Sequence, residues 1–359
     1  MKLPAGFDIR FLPIFIFGLI GGICAYFINA PMPFMLGGIF AAACFVLWYE
    51  RDDKRLPKVS RWVRLVSMSI IGAMIGSRFS PELLTLLPQF WISGLTLIPY
   101  ILLAHGGGYI MMRRLGGYKK LDAYFAALPG GIIDSAALAE EAGADLRVVT
   151  AQHFIRIIMV VSAVPLLFLF VGGSSVGSLA GVTMATAEYD FIDVALILVI
   201  ALTGLFFGRL FKFPVSHMLG PLLLALVLSV SGVIEIDIPP WLGNVAQYVV
   251  GTALGAQFSG MSRKLLLRGL GMGLMAGGYM LFLAGAFAYA LAGFVPAEFE
   301  ALFISFAAGG LAEMSLIALS LNFNPVVVAI HHLVRILLTV TIGNFLSRRI
   351  FKLVPDRTN

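Results

Sequence analysis

The stretch 127–158, ALPGGIIDSAALAEEAGADLRVVTAQHFIRII, decides the fold. It lies inside an apolar chain, yet it holds the run Pro129-Gly130-Gly131, then Asp134, then His153 and Arg156. Proline removes a backbone N–H and clashes with the turn before it, and paired glycines lower helix propensity further. In a bilayer such a break is tolerated only where protein or a water-filled cavity satisfies the backbone. Ionisable side chains at that depth usually face the bundle interior or water.

The rest of the chain sets that context. Of 359 residues, 60% are hydrophobic and 12% charged, and the mean hydropathy is +0.96. Soluble chains carry about 25% charged residues, so this is an all-α integral membrane protein in contact with a lipid bilayer. The net charge of +6 does not point to direct nucleic-acid binding, because the basic residues cluster in short loops, where they are topology signals. Cys24 and Cys44, the only cysteines, sit in apolar runs and read as small core residues, not as a disulfide or metal pair. Lys2 and Arg10 ahead of the apolar run 11–28 resemble a signal peptide. Pro31 directly after Ala30 argues against cleavage, and the pattern recurs near 191–211, so the run reads as a retained span.

Twelve apolar segments are visible, near 11–28, 33–49, 62–77, 89–112, 121–139, 148–171, 191–208, 215–232, 241–257, 267–292, 299–320 and 326–347. Most approach the 20 or so residues that a spanning helix needs. The second six echo the first six. GAMIGSRFS (72–80) matches GTALGAQFS (251–259), ALPGGIIDS (127–135) lies over FAAGGLAEM (306–314), and HFIR (153–156) lies over HLVR (332–335). Gly76 and Gly255, Gly130 and Gly309, Asp134 and Glu313, His153 and His332, and Arg156 and Arg335 are each 179 residues apart. PMPFMLG (31–37) and PVSHMLG (214–220) are 183 apart. Matches in one register read as an internal duplication: a first repeat over 1–172, a linker at 173–190, and a second repeat over 191–359.

Lys and Arg mark the cytoplasmic side, and their distribution inverts between the halves. Arg51, Lys54, Arg55, Lys58 and Arg61 follow segment 2, whereas the matching loop 233–240 holds Glu235 and Asp237. Arg113, Arg114, Lys119 and Lys120 follow segment 4, against Glu298 and Glu300. The bias reverses after segments 1, 3 and 6, where Arg209 and Lys212, Arg263, Lys264 and Arg268, and Arg348, Arg349 and Lys352 belong to the second half. Inverted halves must each cross an odd number of times, so one of six segments must enter and leave on the same side. Segment 5, with its breaks at Pro129-Gly130-Gly131 and Gly309-Gly310, is the candidate. The expected architecture is two inverted-topology repeats, each of about five spanning helices plus one re-entrant hairpin. That makes ten spans, with both termini inside.

Discontinuous helices of inverted repeats are a usual substrate site of secondary transporters, and half-helix N-termini favour an anion. Asp134 and Glu313 lie about one turn past the breaks, and His153/Arg156 and His332/Arg335 each share a helix face at i, i+3. A carboxylate or an imidazole can carry a proton, whereas Arg can hold a carboxylate or phosphate in bidentate fashion. The candidate substrate- or ion-binding residues are Gly130, Gly131, Asp134, His153, Arg156, Gly309, Gly310, Glu313, His332 and Arg335. The competing reading of the same residues is structural: acid–Arg pairs that lock segment 5 to segment 6, with histidines as packing groups. Gly72/Gly76 and Gly251/Gly255 read as small-xxx-small helix contacts, and HGGGY (105–109) reads as a close-packing stretch.

The duplicated PGGxxD…HxxR and GGxxE…HxxR blocks resemble the membrane AbrB family, a duplicated bacterial inner-membrane family. The resemblance covers nearly the whole chain. It implies a multi-pass bacterial inner-membrane location and a role in regulating gene expression, and some members carry a monooxygenase label. It brings no accepted site residues. A DNA-binding regulator needs an exposed basic module, and an oxygenase needs a defined His or carboxylate cluster; neither is visible here. The expectation is a secondary transporter or permease of a small solute, with an anion as the favoured class and proton coupling through Asp134 and Glu313, and with no catalytic residues, metal or cofactor. The alternative is a membrane sensor that affects expression through a bound or transported small molecule. Homo-oligomerisation is compatible with the sequence but is not specified by it.

Overall fold

A computed structural model describes residues 11–52, 56, 61–81, 87–172, 191–211, 213, 215–261, 263–321 and 323–351. The linker 173–190, Pro214 and the basic residues Lys2, Arg10, Lys54, Arg55, Lys58, Lys212 and Lys352 lie outside the described residues. Among the described residues there are fourteen α-helices. They are α1 (Leu12–Phe27), α2 (Pro33–Tyr49), α3 (Arg61–Gly76), α4 (Trp91–Arg114), α5 (Lys120–Ala126), α6 (Ile132–Glu141), α7 (Leu146–Gly172), α8 (Phe191–Leu210), α9 (Ser216–Val230), α10 (Pro240–Gly255), α11 (Arg263–Leu291), α12 (Phe299–Phe306), α13 (Leu311–Ser320) and α14 (Pro325–Phe351).

Five stretches are long and apolar enough to cross a bilayer: Pro88–Arg114, Leu146–Phe170, Phe191–Leu210, Leu265–Leu291 and Pro325–Phe351. Others are apolar but shorter, among them Leu12–Phe27, Pro33–Tyr49 and Ser216–Val230. A 16-residue helix such as α1 rises about 24 Å, less than the roughly 30 Å of a typical hydrocarbon core. The connections explain why these runs look longer in the sequence. Met32 and Val215, just ahead of α2 and α9, are left-handed, with φ of 45° and 49°. The helices therefore start after a sharp turn made from residues that are themselves apolar.

The chain forms two compact units, and each draws on both halves of the sequence. The first holds Met1–Leu87, Ser162–Gly260 and Ala312–Val326, and glycines let its helices touch at the backbone. Gly21 of α1 and Gly37 of α2 face each other, as do Gly204 of α8 and Gly220 of α9; a Cβ at any of the four would overlap backbone of the facing helix. Gly72 and Gly76 of α3 press on the Met218 and Leu222 carbonyls of α9, and Gly251 and Gly255 of α10 press on those of Met35 and Ile39 in α2. The small-xxx-small pairs are thus helix contacts. One carboxylate, Glu50, gathers three donors after α2: it accepts from the Leu56 N–H (2.9 Å), the Ser259 hydroxyl (2.6 Å) and the Gly260 N–H (2.7 Å). Within the same unit the Gln247 amide donates to the Ser320 hydroxyl (3.2 Å), tying α10 to α13.

Cys24 and Cys44 are free and exposed, which corrects their reading as core residues. The outward faces of these helices are themselves apolar, as at Phe40 and Trp48. An apolar neighbourhood in the sequence therefore fails to separate core from lipid-facing surface.

The second unit holds Pro88–Val161, Met261–Leu311 and Val327–Asn359. Gly269, Gly273 and Gly277 give α11 a smooth stripe that receives Gln152, Ile155 and Met159 of α7. In HGGGY, His105 is buried with its ring edge-on to Tyr124. Gly107 faces Tyr279 and Gly108 faces Ala127, while Gly106 borders open space. Loop residue Tyr118 is clamped by basic residues: Arg268 lies 4.8 Å over its ring and also bonds the Gly116 carbonyl, and Arg113 bonds the Tyr118 carbonyl. Burial raises the Tyr118 phenol above its ordinary pKa, partly offset by the Arg268 charge.

Candidate functional site

Segment 5 is two short helices with a break between them. Helix α5 ends at Ala126, and α6 starts at Ile132 after Gly131, whose φ of 62° is left-handed. That conformation costs glycine little and other residues much. The Ser135 hydroxyl donates to the Gly130 carbonyl (3.0 Å). The chain then doubles back, because the Asp145 N–H, just beyond α6, donates to the carboxylate of Asp122 in the first turn of α5 (2.8 Å). Segment 11 breaks in the same place. Helix α12 ends at Phe306, Ala307 is extended, and α13 begins at Leu311. Asp145 and Asn324 then cap the long helices that follow, each accepting the N–H two residues on at 3.0 Å.

His153 and Arg156 reach the end of α5. His153 Nε2 bonds the Phe125 carbonyl (2.9 Å), Arg156 Nη1 donates to the Leu128 carbonyl, and Arg156 Nη2 donates to His153 Nδ1 (3.2 Å). His332 and Arg335 repeat this on α12. His332 Nε2 bonds the Ile304 carbonyl (3.0 Å), and Arg335 donates to the carbonyls of Phe306 (3.2 Å), Ala307 (2.7 Å) and Gly309 (3.0 Å) and to His332 Nδ1 (2.9 Å). All four side chains are buried. The last carbonyls of a helix lack intrahelical partners and form its negative end, so each His/Arg pair neutralises the end of a half-helix.

Donor accounting fixes the histidines. A guanidinium only donates and a carbonyl only accepts. Nδ1 of His153 and of His332 must therefore be bare, and Nε2 must carry the hydrogen. Protonating either ring would remove an Arg bond and set two cations side by side. His331 differs. Its Nδ1 must donate to the Val327 carbonyl (2.7 Å), and its Nε2 meets the Ser93 hydroxyl (2.8 Å), which also lies 2.9 Å from the Phe90 carbonyl. All three bonds are filled at once only when the ring is an imidazolium.

Both breaks meet at Arg335. Its Nη atoms serve the second break, while a Cβ built on Gly130 in the first would stand 3.7 Å from its Nε and 3.6 Å from the Thr339 hydroxyl. Arg156 and Arg335 lie within electrostatic range of each other, and Tyr100 lies within range of both. The acids occupy the third position of their helices, Asp134 in α6 and Glu313 in α13, where the helix dipole favours negative charge. Asp134 is exposed and folds back over the break, with Oδ2 3.4 Å from the Cβ position of Gly131. Glu313 is buried and falls in the first unit. Within the second unit the structure thus brings Gly130, Gly131, Asp134, Arg156 and Arg335 to the first break, and His332, Arg335 and Gly309 to the second, with Gly310 next in the chain. Sequence reading missed Tyr100, Thr339 and Ser93; as isolated polar residues in apolar spans, they carry no motif. Among the described residues no group of three or more His, Cys, Asp and Glu is placed to hold a metal ion.

A family model described as "Transition state regulatory protein AbrB" matches residues 34–351. The protein YhjN of Bacillus subtilis (strain 168) is 26% identical, over 90% of this chain and 88% of its own. The Escherichia coli (strain K12) protein named "Putative regulator AbrB" is 25% identical, over 92% of this chain and 93% of its own.

Proposed function

The chain belongs to the AbrB family and is a multi-span membrane protein, and from that premise we propose that it is a secondary transporter or permease of a small anion in the bacterial inner membrane. The observation that carries this reading is Arg335, a buried guanidinium between two helix breaks. Discontinuous helices paired at membrane depth are the substrate-site device of secondary transporters. The supporting architecture is the inverted repeat with two re-entrant hairpins and ten spans. In its favour are the equal 28-residue reach of His153 to Phe125 and of His332 to Ile304, and the return of Asp145 to Asp122. At about 1.5 Å per residue, the seven residues of α5 reach only about a third of the way across the core.

Proton coupling falls to the carboxylates Asp134 and Glu313, because His153 and His332 cannot take a proton without losing an Arg bond and His331 cannot change charge without giving up one of its three bonds. The protein then needs no catalytic residue, cofactor or metal.

Two measurements test this. In a chain with Cys24 and Cys44 replaced by serine, Glu141→Cys should react with an impermeant thiol reagent from inside only and Glu298→Cys from outside only; the reverse at either site removes the hairpin topology. In proteoliposomes with an imposed pH gradient, a panel of labelled acetate, phosphate and sulfate should include at least one anion taken up by the wild type, with uptake lost in Asp134→Asn or Glu313→Gln. The printed name of the Escherichia coli relative favours a second reading, a membrane regulator that senses a small molecule. Anion-induced stabilisation without any flux selects it.

A further inference from the structure

A set of hydrogen-bonding atoms near the two breaks is left over once the helix ends are capped. Arg335 Nε, Arg156 Nε, the Tyr100 hydroxyl and the Thr339 hydroxyl are all buried and have no hydrogen-bond partner. The side chains are 1%, 3%, 0% and 0% exposed. Buried polar groups are nearly always paired, and exceptions call for a ligand, an ion or water.

Two of the four face one point, and Arg156 and Tyr100 lie within electrostatic range of Arg335 and of each other. Arg335 Nε and the Thr339 hydroxyl lie 3.7 and 3.6 Å from the same point, the Cβ position of Gly130. Arg156 is held at the neighbouring Leu128 carbonyl. The Tyr100 ring packs 5.3 Å from Phe306, whose carbonyl takes a bond from Arg335. Gly130 itself adds no side chain at this point, where a Cβ would stand in ordinary contact with Arg335, Thr339 and Ile336.

We infer that Tyr100 and Thr339, with the Nε atoms of Arg156 and Arg335, form a binding site for a small, freely diffusing oxyanion of carboxylate or phosphate size. Two of the four groups can only donate, and both hydroxyls can donate. A ligand that accepts from all of them is an anion whose oxygens carry several lone pairs, and charge-assisted bonds to guanidinium are the strong class. Burial of all four side chains shuts out a lipid headgroup still attached to its chains. The inference rests on the anion reading of the breaks, but names the donors that would choose among anions.

Binding is measured apart from flux, so the two readings can fail separately. The full chain in nanodiscs is titrated with acetate, phosphate and sulfate against chloride at constant ionic strength, with thermal stabilisation and calorimetry as readouts. At least one oxyanion should stabilise the wild type saturably. Tyr100→Phe and Thr339→Val, which keep shape, should each weaken that binding about tenfold or more, since a hydrogen bond to a charged group is lost. Thr339→Ser, which restores the hydroxyl, should return it and guards against a Val variant that simply misfolds. No saturable oxyanion effect, or binding unchanged in both Phe and Val variants, overturns the site and leaves the four atoms to buried water. Oxyanion binding with this mutational pattern but no flux keeps the site and discards transport.

Discussion

Arg335→Met should be the most destabilising single substitution in the second unit. The wild-type guanidinium serves three backbone carbonyls and one imidazole nitrogen from a buried position. Methionine fills much of the volume but donates nothing. Each buried acceptor left unpaired costs about 1–3 kcal/mol, and there is no water in a bilayer core to replace the lost donor. The sum reaches the range above about 4 kcal/mol that single substitutions rarely exceed. In a detergent thermostability assay read by size-exclusion, the variant should lose its monodisperse peak well below the wild-type temperature. Arg335→Lys should not rescue it, because an ammonium lacks the planar fork that spans several carbonyls. Arg156→Met should do less damage, since that side chain holds one carbonyl and His153. A fully stable Arg335→Met would mean that the end of α12 does not depend on the guanidinium.

Gly37→Val should be comparably severe in the first unit, for the opposite reason. A Cβ at Gly37 would land on the Gly21 carbonyl and close to Gly22 Cα. Those are backbone atoms, so no rotamer change relieves the overlap and α1 must be pushed off α2. Overpacking of a tight core costs about 1–3 kcal/mol where side chains can give way, and more is expected where they cannot. Gly220→Val should behave alike through Gly204 and Gly208. Gly271→Ala is the control. Nothing lies within 4 Å of its Cβ position, and alanine is the better helix former, so the same assay should find it neutral or slightly stabilised.

The membrane class, the breaks at 129–131 and 309–310 and the polar set around them were legible because bilayer chemistry makes each conspicuous. Proline and paired glycines stand out in an apolar run, and buried charge is expensive. What Arg156 and Arg335 bond to was not legible. Their partners are carbonyls 26 to 29 residues earlier in the chain, and every residue carries a carbonyl. A helix-capping arginine therefore looks the same in sequence as a ligand-binding one. The two acids read as equivalents, but Asp134 is exposed and Glu313 buried, a difference set by surroundings and not by spacing. Glu50 was hidden for a similar reason: two of its three donors are backbone N–H groups, and two of the three lie beyond residue 258.

The capped helix ends also have a consequence for energetics of coupling. In broken-helix carriers the unwound carbonyls are where sodium sheds its water. Here the carbonyls of Phe125, Leu128, Ile304, Phe306, Ala307 and Gly309 are already engaged by donors that bear or border positive charge. A hard cation arriving there would meet carbonyls that already accept from cationic or cation-bordering donors, and a repulsive field. On the transport reading proposed above, the breaks therefore disfavour sodium at their carbonyls and favour a proton carried on a side chain.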